Sequence, residues 1–183
     1  MATPALDGES LRRISEVITS LIRDKTMEET GVVHDTFVIE RVYPAAPERV
    51  FAAFADPKAK RRWFAESPNH DVEVFEMDFR VGGLVTTSYR FKPGGPFAGV
   101  VLVNDGTYLD ITPGRRIVEA STMTMGGRRI SASLVTITLT PTANGTALTC
   151  THQGAFFEGA DGPRMREGGW RLLLDQLAKA LAH

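Results

Sequence analysis

The sequence predicts an α+β fold in which a curved antiparallel sheet of about six to seven strands is covered by one long C-terminal helix. Three observations lead there. Runs of β-branched and aromatic residues between Thr36 and Gln153 are punctuated by the turn dipeptides Gly82-Gly83, Pro113-Gly114, Gly126-Gly127 and Asn144-Gly145. From about Pro163 to Ala182, the residues Trp170, Leu173, Leu174, Leu177 and Leu181 recur at helical spacing and form a stripe that a sheet face can bury. Between the first strand and the remainder, Pro47 and Asp56-Pro57 mark two short helices.

Taken in order, residues Glu9 to Glu29 carry Leu11, Ile14, Val17, Ile18, Leu21 and Ile22 every three or four positions, which predicts an amphipathic helix ending near Gly31. Its stripe is too apolar to stay in water and is expected to dock on its own domain, with a homodimer through this helix as the alternative. Residues 1–33 are therefore read as an N-terminal helical extension and 34–183 as the main domain. Thr36 to Tyr43 reads as a strand stopped by Pro44, followed by the two short helices, the second running from Lys58 to Phe64. Strands then follow at Val72–Val81, Leu84–Phe91, Gly99–Ile111, Ile117–Met125, Ile130–Thr140 and Thr146–Gln153. On the closing helix, Glu167 with Arg171 and Asp175 with Lys179 stand at i,i+4 spacing and predict surface ion pairs.

The composition narrows the function. The 183 residues are 43% hydrophobic and 23% charged, and one domain of this size buries about 70% of the surface its unfolded chain would expose. A net charge of −1 gives no field that would attract nucleic acid or an anionic membrane. The single cysteine, Cys150, excludes an internal disulfide and any multi-cysteine metal cage, and it suits a reducing compartment. Residues 1–10 hold no apolar core of signal-peptide length, and no later stretch approaches a membrane span of about 20 apolar residues, so a cytoplasmic protein is expected. His34, His70 and the terminal His183 show no metal-ligand spacing, and there is no phosphate loop, dinucleotide fingerprint or nucleophile elbow. No cofactor and no metal are expected.

Five local motifs occur in order: Arg62-Trp63-Phe64; Asp78-Phe79-Arg80-Val81-Gly82-Gly83; Gly106-Thr107-Tyr108 with Pro113 and Arg116-Ile117-Val118; Gly145-Thr146 through His152-Gln153-Gly154; and Gly169-Trp170 with Leu174 and Leu177. In this arrangement the chain resembles the START-like (SRPBCC) superfamily, and within it the family related to the C-terminal domain of the activator of the heat-shock-protein-90 ATPase. The resemblance runs from about Thr36 to the C-terminus. It implies the helix-grip fold, with a cavity between curved sheet and long helix that takes lipids, polyketides, hormones or other apolar small molecules. Fold alone does not choose among these.

Within that frame the residues suggest a pocket. Trp63, Tyr89, Tyr108 and Trp170 offer apolar bodies with one polar handle each, and Met123 and Met125 offer adaptable walls. Leu174 is expected beside them on the long helix. Alternation along the last strand places His152 with Leu148 and Cys150 on the inward face, where an imidazole can serve as acid or base. Glu119 shares a strand face with Ser121, Met123 and Met125 and becomes a buried acid if that face points inward. A structural histidine and a packed core are the plainer readings of the same residues. Asp78 and Arg80 project to one side of Phe79 and predict a local charge pair.

No nucleophile with an adjacent base can be read from the chain. The favoured function is binding of an apolar or amphipathic small molecule, without a defined reaction. A co-chaperone-like interaction module is the first alternative. It is disfavoured because nothing before Thr36 is long enough to form the activator's separate chaperone-binding domain. A cyclase- or hydrolase-like enzyme acting through His152 on an apolar substrate is the second.

Overall fold

A computed structural model describes residues 31–182. The predicted N-terminal helix lies outside the described residues, and so does the question of where it docks. Seven strands form one antiparallel sheet: β1 (Val33–Tyr43), β2 (His70–Met77), β3 (Leu84–Phe91), β4 (Val101–Thr112), β5 (Arg116–Met125), β6 (Arg128–Thr142) and β7 (Gly145–Phe156). Helices α1 (Pro47–Ala55) and α2 (Pro57–Lys60) follow β1, and α3 (Gly162–Leu181) closes the chain.

Strands β2 to β7 form a meander, while β1 lies outside β7, giving the order β1-β7-β6-β5-β4-β3-β2. The excursion through α1 and α2 carries the chain from one sheet edge to the other. Three register shifts, after Val72 in β2, after Tyr108 in β4 and opposite Met123 in β6, each leave an extra residue and add local twist. The curved sheet around α3 is the helix-grip fold that the resemblance implies.

Alternation decides what faces α3. Along β7 the residues Thr146, Leu148, Cys150, His152, Gly154 and Phe156 are buried, with half-buried or exposed residues between them. Leu174, Leu177 and Leu181 of α3 meet Ile39, Val50, Leu148 and Cys150 in the main core. Tyr43 donates its hydroxyl to the Leu174 carbonyl at 3.0 Å, which ties β1 to the middle of the helix. Asp56 ends α1 and accepts from the Ala59 amide at 2.7 Å, so the Asp-Pro interruption becomes the cap of the next helix.

The structure corrects the sequence reading in four places. Strand β2 runs from His70 to Met77 and stops short of Val81, because the chain turns at Asp78, where the Arg80 amide donates to the Asp78 carbonyl and the Gly83 amide to the Arg80 carbonyl. The second short helix is only one α-turn, and it continues as a wider π-turn over Arg61–Ala65 that places Trp63 and Phe64 toward the sheet and α3. Asp175 pairs with Arg41 of β1 at 3.2 Å rather than with Lys179, because β1 packs along that side of the helix and brings a guanidinium within reach. Strand β7 continues past Gln153 to Phe156, since β1 and β6 flank it on both sides to that point. The expected Asp78–Arg80 pair is present at 2.7 Å on the surface, and Glu167 pairs with Arg171.

The loop between β2 and β3 positions β4. The Gly82 amide donates to the Tyr108 carbonyl at 2.7 Å, and the Tyr108 amide donates to the Gly83 carbonyl at 3.0 Å. The two glycines answer different constraints. Gly82 has φ of +78° and open space around it, whereas a Cβ on Gly83 would stand 2.0 Å from the Asp78 carbonyl oxygen. Gly83→Ala is therefore expected to destabilise the protein by about 3 kcal/mol, against about 1 kcal/mol for Gly82→Ala, where only the left-handed backbone opposes a side chain. Denaturant midpoints of the two variants check this order.

Candidate binding cavity

Helix α3 lies over β1 and β7 and leaves the concave face of β3 to β6 uncovered. The space is a cavity of about 450 Å³ whose wall includes Trp63, Phe64, Tyr89, Tyr108 and Trp170. Exposed Met165 and Leu172 also border it, so it opens to solvent along α3. The cavity side of the helix is the stripe Met165, Arg166, Gly169, Trp170, Leu173 and Gln176, while Leu174 and Leu177 face the core.

The structure places the sequence-derived candidates as follows. Trp63, Tyr89, Tyr108, Met123, Trp170, His152 and Glu119 all stand on the cavity wall. Leu174 does not, since it is fully buried in the core stripe one helical face away. Met125 does not either, since it is the last residue of β5, beside the Gly126-Gly127 turn and past the end of the cavity. Trp63 donates its indole N–H to the Ala53 carbonyl at 2.8 Å, so it locks the π-turn onto α1 while its ring walls the cavity.

The strongest electrostatic feature was not among the candidates. Lys60 is buried, and its Nζ donates to the Tyr108 hydroxyl at 2.9 Å and lies 3.6 Å from Glu119 Oε2. It also stands 5.2 Å from the ring centres of both Phe64 and Tyr108. Burial alone would pull the ammonium down, but Glu119 and Tyr108 outweigh it and hold Lys60 above the ordinary lysine range. Burial raises the Tyr108 phenol more than Lys60 lowers it, so the phenol stays protonated at neutral pH. Gly106 makes room for this cluster, because a Cβ there would stand 2.7 Å from Glu119 Oε1 and 2.9 Å from Val85 Cγ1. In the sequence, Lys60 stands in the basic stretch Lys58-Ala59-Lys60-Arg61-Arg62, with nothing local to mark it as buried. The available signal is the spacing of Lys60 to Trp63 and Phe64, which puts all three on one helical face.

A second pre-paired charge sits at the helix end of the cavity. Arg166 is buried and reaches Asp161 through two nitrogens, at 2.8 and 2.7 Å, and Ser131 Oγ at 3.0 Å. Its guanidinium carbon lies 5.3 Å from the Phe156 ring centre. His152 stands nearby, stacked on Phe37 with ring centres 4.6 Å apart, and its Nδ1 has no hydrogen-bond partner among the described residues. Burial, reinforced by Arg166, lowers its pKa to about 4, so the imidazole is neutral at physiological pH. His70, the first residue of β2, also borders the cavity, where it donates to the Ala65 carbonyl at 2.6 Å and stacks on Tyr89. Cys150 is buried behind the wall, and burial pushes its thiol up to about 12, which makes it an inert core residue. Among the described residues, no helix is long and apolar enough to cross a membrane.

Comparison with known proteins fits this architecture. Residues 44–182 match the family model of the Activator of Hsp90 ATPase homolog 1-like protein. The chain belongs to this family. Similar solved structures include an uncharacterized protein from Rhizobium leguminosarum, 35% identical with a TM-score of 0.77, covering 83% of this chain and 97% of that one. The Mll3558 protein from Rhizobium loti is 45% identical with a TM-score of 0.71, covering 82% and 99%. A protein from Chromobacterium violaceum is 31% identical with a TM-score of 0.68, covering 80% and 96%. None of the curated proteins compared with the chain matches it.

The buried groups make two expectations testable. Lys60→Met strands the Glu119 carboxylate, which is only 16% exposed, and is expected to cost about 3 kcal/mol. The double variant Lys60→Met/Glu119→Leu removes both charges and is expected to recover most of that loss, as a double-mutant cycle by urea unfolding would show. For His152, the unfolded chain takes up a proton near pH 6.5 that the folded protein refuses until about pH 4. Stability therefore falls as the pH drops through this window, by about 2 kcal/mol between pH 7 and pH 5 from this residue. His152→Phe, which keeps the stack on Phe37, is expected to lose that part of the acid sensitivity when the two proteins are unfolded at both pH values.

Proposed function

We propose that this protein binds a small, largely apolar molecule between its sheet and α3. The observation that carries the reading is the cavity itself. At about 450 Å³ it falls within the range of roughly 300 to 1,000 Å³ typical of small-molecule sites, and aromatic rings form much of its wall with a few fixed polar groups among them. A core that merely failed to close would not hold two buried cations, each supplied with its own carboxylate. The family and its similar structures support a START-like binding domain.

No reaction is assigned. His152 is neutral and positioned as an acid–base group, but no nucleophile stands in hydrogen-bond reach of it among the described residues. The co-chaperone reading has no observation in its favour beyond the family's description, and its direct check is stimulation of a chaperone ATPase by the purified protein.

Native mass spectrometry of the protein purified from its own host tests the proposal, with a co-purifying small molecule as the expected result. Gly169 provides the control. It lies on the cavity side of α3, and a Cβ there would have no neighbour within 4 Å, so Gly169→Phe is expected to fill the entrance and abolish the bound mass. Because glycine weakens a helix interior by about 1 kcal/mol relative to alanine, the same variant should melt no lower than the parent. Retention of the bound species by folded Gly169→Phe would show that the molecule sits elsewhere.

A further inference from the structure

The hydrogen-bonding register of the sheet brings together three side chains that the cavity's charge pairs do not use. Thr87 of β3 is the direct antiparallel partner of Asn104 of β4. Asn104 in turn pairs with Met123 of β5, two residues from Ser121 on the same strand face. Directly paired residues on one face have Cβ atoms about 5 Å apart, and diagonal neighbours stand about 7 Å apart, so the three polar groups form one patch across adjacent strands. All three border the cavity.

None of the three side chains has a hydrogen-bond partner among the described residues. For Thr87 the case is sharp, because the residue is 1% exposed and its buried hydroxyl has no hydrogen-bond partner among the described residues, although it lines the cavity. A buried hydroxyl of this kind is seldom tolerated without a partner. Replacing it with a methyl group would remove the penalty at no change of volume.

The neighbouring charges define what kind of group can meet this patch. Lys60 is matched by Glu119, and Arg166 is matched by Asp161. An anion entering the cavity would meet those two carboxylates, and a cation would meet the ammonium and the guanidinium, with no unmatched charge of either sign to compensate its lost hydration. The unpartnered groups of this patch are two hydroxyls and an amide, all neutral, with Asn104 standing between the two hydroxyls, so that the amide and the hydroxyl on either side of it offer both a donor and an acceptor to a neutral oxygen.

We infer that Thr87, Asn104 and Ser121 form a polar subsite that holds a neutral oxygen function, a hydroxyl or a carbonyl, of a ligand whose apolar part lies among the aromatic rings, and that the cavity discriminates against carboxylates and amines. The inference rests on the cavity-binding reading above.

A matched probe series tests it on the intact protein. Binding of 4-methylbiphenyl, biphenyl-4-methanol, biphenyl-4-carboxylate and biphenyl-4-methylammonium is measured by calorimetry or by quenching of tryptophan fluorescence. The alcohol is expected to bind about tenfold more tightly than the hydrocarbon, in proportion to one satisfied hydrogen bond, and both charged probes more weakly than the alcohol. Thr87→Val and Asn104→Leu are each expected to reduce the alcohol's advantage about fivefold or more while leaving the hydrocarbon's affinity unchanged or improved. Thr87→Val should also raise the melting temperature of the empty protein, which separates loss of a binding group from loss of fold. Equal affinity for alcohol and hydrocarbon in the parent protein would overturn the subsite while leaving the cavity reading intact. So would tighter binding of either charged probe, or an unchanged ratio in both folded variants. If none of the four probes binds, the subsite and the cavity reading fall together.

Discussion

The arrangement follows from a mismatch of widths. Seven strands spaced about 4.8 Å apart make a sheet about 30 Å wide, while a helix with its side chains is about 10 to 12 Å across. One helix cannot cover such a face. Here α3 is held to one side, where Tyr43 bonds the Leu174 carbonyl and Arg41 pairs with Asp175, so the main core forms between α3, α1 and the β1–β7 edge. Curvature of the sheet brings the remaining strands over the opposite side of the helix. What α3 leaves open over β3 to β6 becomes the cavity, and among the described residues both buried cations, Lys60 and Arg166, lie on its wall.

The polar wall has a graded logic. Lys60 and Glu119 lie where α2 and the π-turn approach β4 and β5, and Arg166 with Asp161 lies where α3 begins. Each cation is buried with its own carboxylate, so neither calls for a counter-ion from outside. Such pairs add little net stability when compared with apolar residues of the same size, but they fix geometry, since losing one partner is expensive. Tyr108 shows how this precision is built. Its backbone is latched to Gly82 and Gly83, its ring meets Phe79 edge-on at 5.0 Å, and its hydroxyl accepts from Lys60. The loop motif therefore sets the position of a cavity-wall phenol on another strand, some 25 positions later in the chain.

Much of the fold was legible in the residues because its signals are local. Turn glycines, alternation along β7 and the apolar spacing of α3 each depend on a few neighbouring positions, and they indicated seven strands in the right order with the inward orientation of His152, though the end of β2 was placed four residues too late. The site was legible only where a residue's type is rarely wasted on a surface, as with Trp63, Tyr108 and Trp170. Lys60 was hidden because its burial depends on Glu119 from a strand some sixty positions later, which no local pattern contains. Arg41 with Asp175 was hidden for the same reason. The Leu174 assignment failed on a finer point. One helix presents two apolar faces here, and a stripe of leucines does not say which of them meets the core and which meets the cavity.

The distribution of unmet hydrogen bonds argues that the cavity is a product of its sequence rather than a packing defect. A defect would be lined by whatever apolar residues failed to meet, and dry apolar voids need no polar lining. Instead, Thr87 keeps a hydroxyl where valine would fit, and His152 keeps an imidazole where phenylalanine would stack equally well on Phe37. Gly106 keeps open the space into which Glu119 extends toward Lys60. Thr87 and His152 each leave a group without a partner on the cavity wall, and Gly106 makes room for Glu119 on the same wall. Consistency across several residues on different strands is what separates a constrained site from chance. On the binding reading proposed above, a molecule that enters the space and completes these bonds would offset those losses.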